Sequence, residues 1–139
     1  MKTTERLERS LRSAEDLPEY IRENEHVLNG DLTLGSYVSE FLAQKKMSRY
    51  RLFRKADITS SFGYEMLNGK RLPDRDTLLR FAFLLQLSIE QTQKMLNLAE
   101  TSLLYPRRLR DSVILFFLRD RKTIAEVNAM LREHDLEPI

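Results

Sequence analysis

The sequence predicts an all-α fold, and three properties of its 139 residues lead to that prediction. It contains only four Gly and four Pro, too few for the many tight turns of a β architecture. Apolar residues recur at intervals of three and four, which is the period of an amphipathic helix. Ser and Thr stand repeatedly just before these apolar stretches, where they can act as helix N-caps.

Composition limits the class of protein further. Hydrophobic residues make up 42% and charged residues 32%, which supports one packed core with a solvated surface. No Cys is present, which excludes disulfides, thiol nucleophiles and thiolate metal sites. The charged N-terminus does not resemble a signal peptide, and the longest apolar run, 113–118, is too short to span a bilayer. We therefore expect a cytoplasmic protein with no membrane partner.

The net charge of +2 conceals a concentration of positive charge in the middle of the chain. Residues 45–75 carry nine basic and three acidic side chains, whereas residues 1–30 carry five basic and seven acidic ones. A polyanion would therefore be attracted to the middle of the chain. Taken alone, such a cluster is equally compatible with an ordinary solvated surface.

Residues 1–30 are predicted to form a short helical extension. Leu7 and Leu11 lie on one face of a first helix, and Pro18 suits the first turn of a second. The second helix carries five large apolar residues and ends at Asn29-Gly30: Leu17, Tyr20, Ile21, Val27 and Leu28.

Five helices are predicted between residues 31 and 100. The second and third are short and are separated by a turn at Asp57-Ile58. Asn68-Gly69 ends the third helix, and Leu72-Pro73-Asp74 starts the fourth. N-cap candidates open the other four helices: Thr33, Ser48, the run Thr59-Ser60-Ser61, and Ser88 in a capping box with Gln91.

A two-helix tail is predicted for residues 101–139. The apolar face of its first helix is predicted from four residues: Leu109, Val113, Phe116 and Phe117. A capping box of Thr123 and Glu126 opens the last helix. The tail could pack on the five-helix domain or form a dimer. Phe116 and Phe117 are the candidate dimerisation residues, because large apolar groups are concentrated there.

Residues 48–71, SRYRLFRKADITSSFGYEMLNGKR, resemble the helix-turn-helix of the lambda-repressor/Cro-like (XRE) family of bacterial DNA-binding proteins. The resemblance covers about residues 32–99 and implies a five-helix domain whose second and third helices form the motif. The family has apolar residues at the inward positions, which here are Leu52, Ala56, Ile58 and Met66. Asp57 replaces the usual Gly of the turn and is one of the few residues that tolerates a left-handed backbone.

The resemblance also predicts an exchange of volume inside the motif. Phe53 stands where the family has a small Ala, and Gly63 stands where it has a branched apolar residue on the facing helix. A large side chain matched by a missing one would conserve volume at the contact. A Gly inside a helix costs roughly 1 kcal/mol relative to Ala.

Double-stranded DNA is the partner that the resemblance implies, with the helix Ser60–Leu67 in the major groove. The outward face of that helix supplies the base-contacting candidates: Thr59, Ser60, Ser61, Tyr64, Glu65 and Asn68. The phosphate-contacting candidates flank it: Arg49, Lys70, Arg71 and Arg75. Because the outward face has no Arg or Lys to read guanine, we expect limited direct readout.

The predicted function is sequence-specific DNA binding as a bacterial transcriptional regulator, acting as a homodimer. The alternative is a helix-turn-helix fold used as a protein–protein interaction adaptor, because Glu65 on the recognition face would repel phosphate. An enzyme is not expected, since Gly is scarce and no Ser, His and acid follow a catalytic pattern. No metal or other cofactor is expected either, because His26 and His134 lie at opposite ends of the chain.

Overall fold

The computed structural model describes residues 4–13, 17–19 and 32–139. The chain divides into two compact units, Met1–Thr33 and Leu34–Ile139. In the first unit, helix α1 spans Thr4–Ser13, and residues 17–19 are also helical. The rest of the predicted second helix, from Tyr20 to its end at Asn29-Gly30, lies outside the described residues, as does His26.

The second unit is built from seven further helices: α2 (Leu34–Lys45), α3 (Arg49–Lys55), α4 (Ser60–Leu67), α5 (Arg75–Leu84), α6 (Ile89–Leu98), α7 (Leu109–Arg119) and α8 (Ile124–Glu133). All regular structure in the described parts of the chain is helical, which confirms the predicted all-α class. The tail predicted from residue 101 onward belongs to this unit.

Local sequence signals set where these helices begin. The side chains of Ser48 and Thr59 accept hydrogen bonds from backbone N–H groups three residues ahead, as N-caps do. Ser88 and Thr123 open α6 and α8 in complete capping boxes with Gln91 and Glu126, as predicted. Each cap satisfies N–H groups that the helix itself leaves unpaired.

Helix α5 lies at the centre of the second unit, in contact with α3, α6 and α8. Its Leu78, Leu79 and Phe81 are fully buried, and Met95 and Leu96 of α6 are buried beside them in the core. Full burial of one such side chain stabilises the fold by roughly 1.5–3 kcal/mol. Helix α3 packs on this apolar centre through α5, and α4 packs on α3.

The buried face of α7 differs from the predicted one. Ile114 and Leu118 are buried together with Asp111, whereas Leu109 is exposed and Phe116 is 53% exposed. Residues 113–118 are all apolar, so helical periodicity alone could not select the inward side.

Two reciprocal ion pairs join the first turns of α5 and α7. Arg75 donates to both carboxylate oxygens of Asp111, from Nη1 at 3.2 Å and from Nη2 at 3.0 Å. Arg110 donates to both carboxylate oxygens of Asp76 at 3.1 and 3.0 Å. Paired forks of this kind are the most directional ion pairs in proteins. These ion pairs hold the tail against α5.

Candidate nucleic-acid interface

Helices α3 and α4 are joined by a tight turn centred on Asp57. Its φ of 59° is left-handed, as the sequence predicted for the position where Gly is usual. The Ile58 N–H donates to the carbonyl of Phe53 at 3.0 Å, which closes the end of α3. Arg80 of α5 donates from Nε to the carbonyl of Ala56 at 2.9 Å, so the turn is also tied to the central helix.

The contact between α3 and α4 depends on a missing side chain. A Cβ added to Gly63 would lie 2.7 Å from Cγ, Cδ1 and Cε1 of Phe53, well inside van der Waals contact. The predicted volume exchange between these residues is therefore confirmed. A second close approach supports the other end of α4, because a Cβ on Gly35 of α2 would lie 2.6 Å from the carbonyl oxygen of Leu67.

The segment with this geometry was compared with known proteins. Residues 38–91 match the family model of the Cro/C1-type helix-turn-helix (HTH) DNA-binding domain. We call these residues the Cro/C1-type domain. The match covers about two fifths of the chain, runs from within α2 to the first turn of α6, and includes α3, the turn and α4. No curated protein and no solved structure gave a significant match to the chain.

Helix α4 of the Cro/C1-type domain has a buried side and a polar outer side. Gly63, Met66 and Leu67 are buried. All six predicted base-contacting residues lie at the surface, four of them exposed and two partly exposed: Thr59, Ser61, Tyr64 and Asn68, then Ser60 and Glu65. The Thr59 hydroxyl already accepts the Phe62 N–H at 3.1 Å as the N-cap, so its free hydrogen-bonding capacity is mainly that of a donor.

Arg49 is held at one edge of this polar side. Its Nη2 donates to the Ser39 hydroxyl of α2 at 2.6 Å, and its Cζ lies 5.7 Å from the centre of the Tyr64 ring. Tyr64 in turn packs edge-on against Phe53, with ring centres 5.3 Å apart. The cation–π contact therefore orients Arg49, and the edge-to-face contact with the buried Phe53 orients Tyr64.

At the opposite edge, Arg71 lies against α4 itself. Its Nε donates to Oε2 of Glu65 at 2.9 Å, and its Cζ lies 5.5 Å from the centre of the Phe62 ring. Sequence reasoning missed this pair, because it extends from the helix across Gly69, which has a φ of 77°, into the following loop. The loop turns back toward the helix there, and the negative charge of Glu65 is paired.

Arg75 has a different position from the other predicted phosphate contacts. Besides its fork to Asp111, it donates from Nε to the Ser102 carbonyl and from Nη2 to the Leu103 carbonyl. Its side chain is only 22% exposed. The structure thus gives Arg75 a structural role, because it donates four hydrogen bonds within the protein.

Two large exposed side chains adjoin the predicted phosphate contacts in sequence. Tyr50, beside Arg49, is exposed, and Leu72, beside Arg71, is 88% exposed. Phe62 is only partly buried, whereas Phe53, Met66, Phe81 and Phe83 are buried. Apolar and aromatic groups thus flank a polar face.

Neither a metal centre nor a membrane segment is found in the described part of the chain. There, no group of three or more His, Asp or Glu side chains is arranged to hold an ion. Its helices are too short, or too polar, to cross a bilayer.

Proposed function

We propose that the protein is a bacterial transcriptional regulator that binds double-stranded DNA sequence-specifically, with α4 in the major groove. The observation that carries the proposal is the Cro/C1-type match over a helix whose outer side is polar and exposed. Serine, asparagine and tyrosine side chains on such a face can contact base edges. The matched family is one of DNA-binding domains, and what we add for this chain is the sequence preference and the regulatory role.

Phosphate contacts are assigned to Arg49 and Lys70. Arg49 lies at the start of α3, and the exposed Lys70 follows the end of α4, so positive charge flanks the polar face on both sides. Cations at such positions attract any duplex and fix its register without reading sequence. The nine basic residues between 45 and 75 supply the surrounding field.

Glu65 no longer favours the adaptor alternative. That alternative depended on repulsion between an unpaired carboxylate and phosphate, and the Glu65 carboxylate accepts a hydrogen bond from Arg71 at 2.9 Å. A paired carboxylate on the outer side of α4 is compatible with a DNA-facing role. We therefore do not propose the adaptor function.

A homodimer is proposed as the binding form, with Phe116 and Phe117 in its interface. The Phe116 ring is 53% exposed, and it borders a groove of about 290 Å³ lined by α7 and α8. One short recognition helix has few base-reading side chains, and a two-fold dimer would double its contacts on a palindromic site. The groove is lined mainly by the apolar side chains of Val113, Phe116, Phe117 and Met130, and contiguous apolar surface of this kind commonly marks an association site.

Selection of bound duplexes from a random DNA pool tests this function. We expect an enriched site with two related half-sites separated by about 10 base pairs, or one turn of DNA, centre to centre. Asn68→Ala and Tyr64→Ala should reduce the preference for that site by roughly 1–3 kcal/mol while non-specific binding persists. Arg132→Gln, an exposed change in α8, serves as the control. Recovery of no enriched sequence would contradict the proposal.

A further inference from the structure

We propose that Arg71 reads a guanine base and that Glu65 is the positioning residue that aims its guanidinium. The inference rests on the proposed function, and it changes the role of Arg71 from a phosphate contact to a base contact. It also supplies what the outer side of α4 lacks in the sequence, a cationic side chain able to recognise guanine.

Most of the N–H donors of the Arg71 guanidinium are available to a ligand. An arginine side chain has five N–H donors in a fixed planar fork. Within the described residues, Arg71 donates one hydrogen bond, from Nε to Glu65. Its four Nη hydrogens therefore remain available for a ligand. Guanine presents two acceptors, O6 and N7, in the major groove, and a pair of N–H donors matches them. The free part of Arg71 therefore has the chemistry that guanine requires.

The Glu65–Arg71 pair lies on the helix that would enter the major groove. Glu65 belongs to α4, the helix that would enter the groove, and Arg71 is folded back onto it rather than extended toward a flanking phosphate. Next to a G·C pair, the Glu65 carboxylate can accept a hydrogen bond from the cytosine amino group. Arg71 and Glu65 together thus offer both donors and an acceptor to the edge of one G·C pair.

The Arg71 guanidinium is stacked on the ring of Phe62. The Arg71 Cζ lies 5.5 Å from the centre of the Phe62 ring, so one face of the guanidinium is supported by an aromatic side chain. With Nε bonded and one face covered, the side chain loses less rotational freedom on binding than a free arginine would. An oriented planar guanidinium is suited to the edge of a planar base.

The test compares full-length variants on one selected duplex and on copies in which each G·C pair is changed in turn. For the wild type, one change to A·T, or one replacement of guanine by 7-deazaguanine, should weaken binding roughly 5- to 150-fold. Arg71→Lys keeps the charge but replaces the planar fork with a single ammonium group, so it should reduce this discrimination while retaining non-specific affinity. Arg71→Ala should abolish the discrimination. Lys70→Gln is the matched control and should weaken binding to all duplexes without altering discrimination.

Glu65→Gln separates positioning from simple electrostatics. Removal of a negative charge should strengthen binding to non-specific duplexes, whereas exchange of the charge-assisted hydrogen bond to Arg71 for a weaker neutral one should reduce the preference for guanine. A residue that acts only through its charge would change the first quantity and leave the second. Both side chains are substantially exposed, so these variants should fold, which thermal unfolding will verify.

The proposal is overturned if no replacement of a single guanine, by adenine or by 7-deazaguanine, weakens binding of the wild type. It is equally overturned if Arg71→Ala weakens binding to every duplex by the same factor, since that is the behaviour of a phosphate contact. Absence of duplex binding by the wild type would overturn this proposal together with the proposed function. The wild-type measurement alone identifies that outcome, so the two failures are distinguishable.

Discussion

The ring of Phe53 occupies the space in which a side chain on Gly63 would stand, with three ring atoms 2.7 Å from that Cβ position. The two motif helices can approach only because one residue of the pair has no side chain. The ring also packs against Tyr64 on the exposed side of α4 and against Phe81 in the core. The Phe53–Gly63 contact inside the motif therefore also supports Tyr64, on the surface that we expect to meet DNA.

Phe53 and Gly63 should therefore be coupled in stability. Gly63→Val alone should overpack the contact by roughly 1–3 kcal/mol, and Phe53→Ala alone should lose roughly 3–5 kcal/mol. The double variant should be clearly more stable than the sum of these losses implies, as measured by denaturant unfolding in a double-mutant cycle. Ser61→Ala, an exposed change on α4, is the control. Strict additivity would contradict the contact.

The Arg75–Asp111 pair should be important for the stability of the second unit. The Asp111 side chain is 4% exposed, and it also accepts the backbone N–H of Tyr105 at 2.9 Å. Asp111→Ala would leave the Arg75 guanidinium without its carboxylate in a mostly enclosed site, and should destabilise the protein by roughly 2–4 kcal/mol in chemical denaturation. The same change at Asp120, in an exposed pair with Arg119, should matter little. Equal losses would refute the structural role of Arg75.

Tyr37 should make stability depend on alkaline pH. Burial, with a smaller contribution from Glu40, raises the pKa of Tyr37 to about 12 from an ordinary value of 10.0. Because the folded pKa is the higher one, the stabilisation is complete below pH 10.0 and is lost as pH rises toward about 12. Tyr37→Phe should show a weaker decline in unfolding free energy over that interval. Identical declines in the two proteins would show that the phenol is not buried as described.

Local signals explain why much of this fold could be predicted from sequence. The caps at Ser48 and Thr59 act within three residues, and the left-handed Asp57 is a property of one residue type in one turn. Such features need no knowledge of the rest of the chain. The volume exchange at Phe53 and Gly63 was predictable only because the family resemblance placed the two residues in contact.

Contacts between distant residues explain what could not be predicted. Arg75 has its partner 36 residues away, so no local pattern distinguishes it from a free surface cation. The inward side of α7 is set by the burial of Asp111 beside Arg75, which overrides the six-residue apolar run. The Glu65–Arg71 pair depends on the path of the loop after α4, which the sequence indicates only through Asn68-Gly69.

The exposed side of α7 should mediate self-association. Phe116→Gln should give a folded monomer with unchanged helical content, because the ring is half exposed and Arg119 is stacked on it, with its Cζ 4.1 Å from the ring centre. Sedimentation at tens of micromolar should show a dimer for the wild type and for Leu103→Gln, an exposed control outside the groove. A wild-type monomer, or an unfolded Phe116→Gln, would refute this interface.

The most direct test of the central claim is the salt dependence of duplex binding, measured by fluorescence anisotropy with the wild type, Arg49→Gln and Lys70→Gln. DNA binding by the Cro/C1-type domain predicts that the logarithm of the association constant falls linearly with the logarithm of salt concentration. Each of the two substitutions should reduce the slope by about 0.9 and weaken binding to every duplex alike. A wild-type protein without salt-dependent affinity for any duplex would contradict the account.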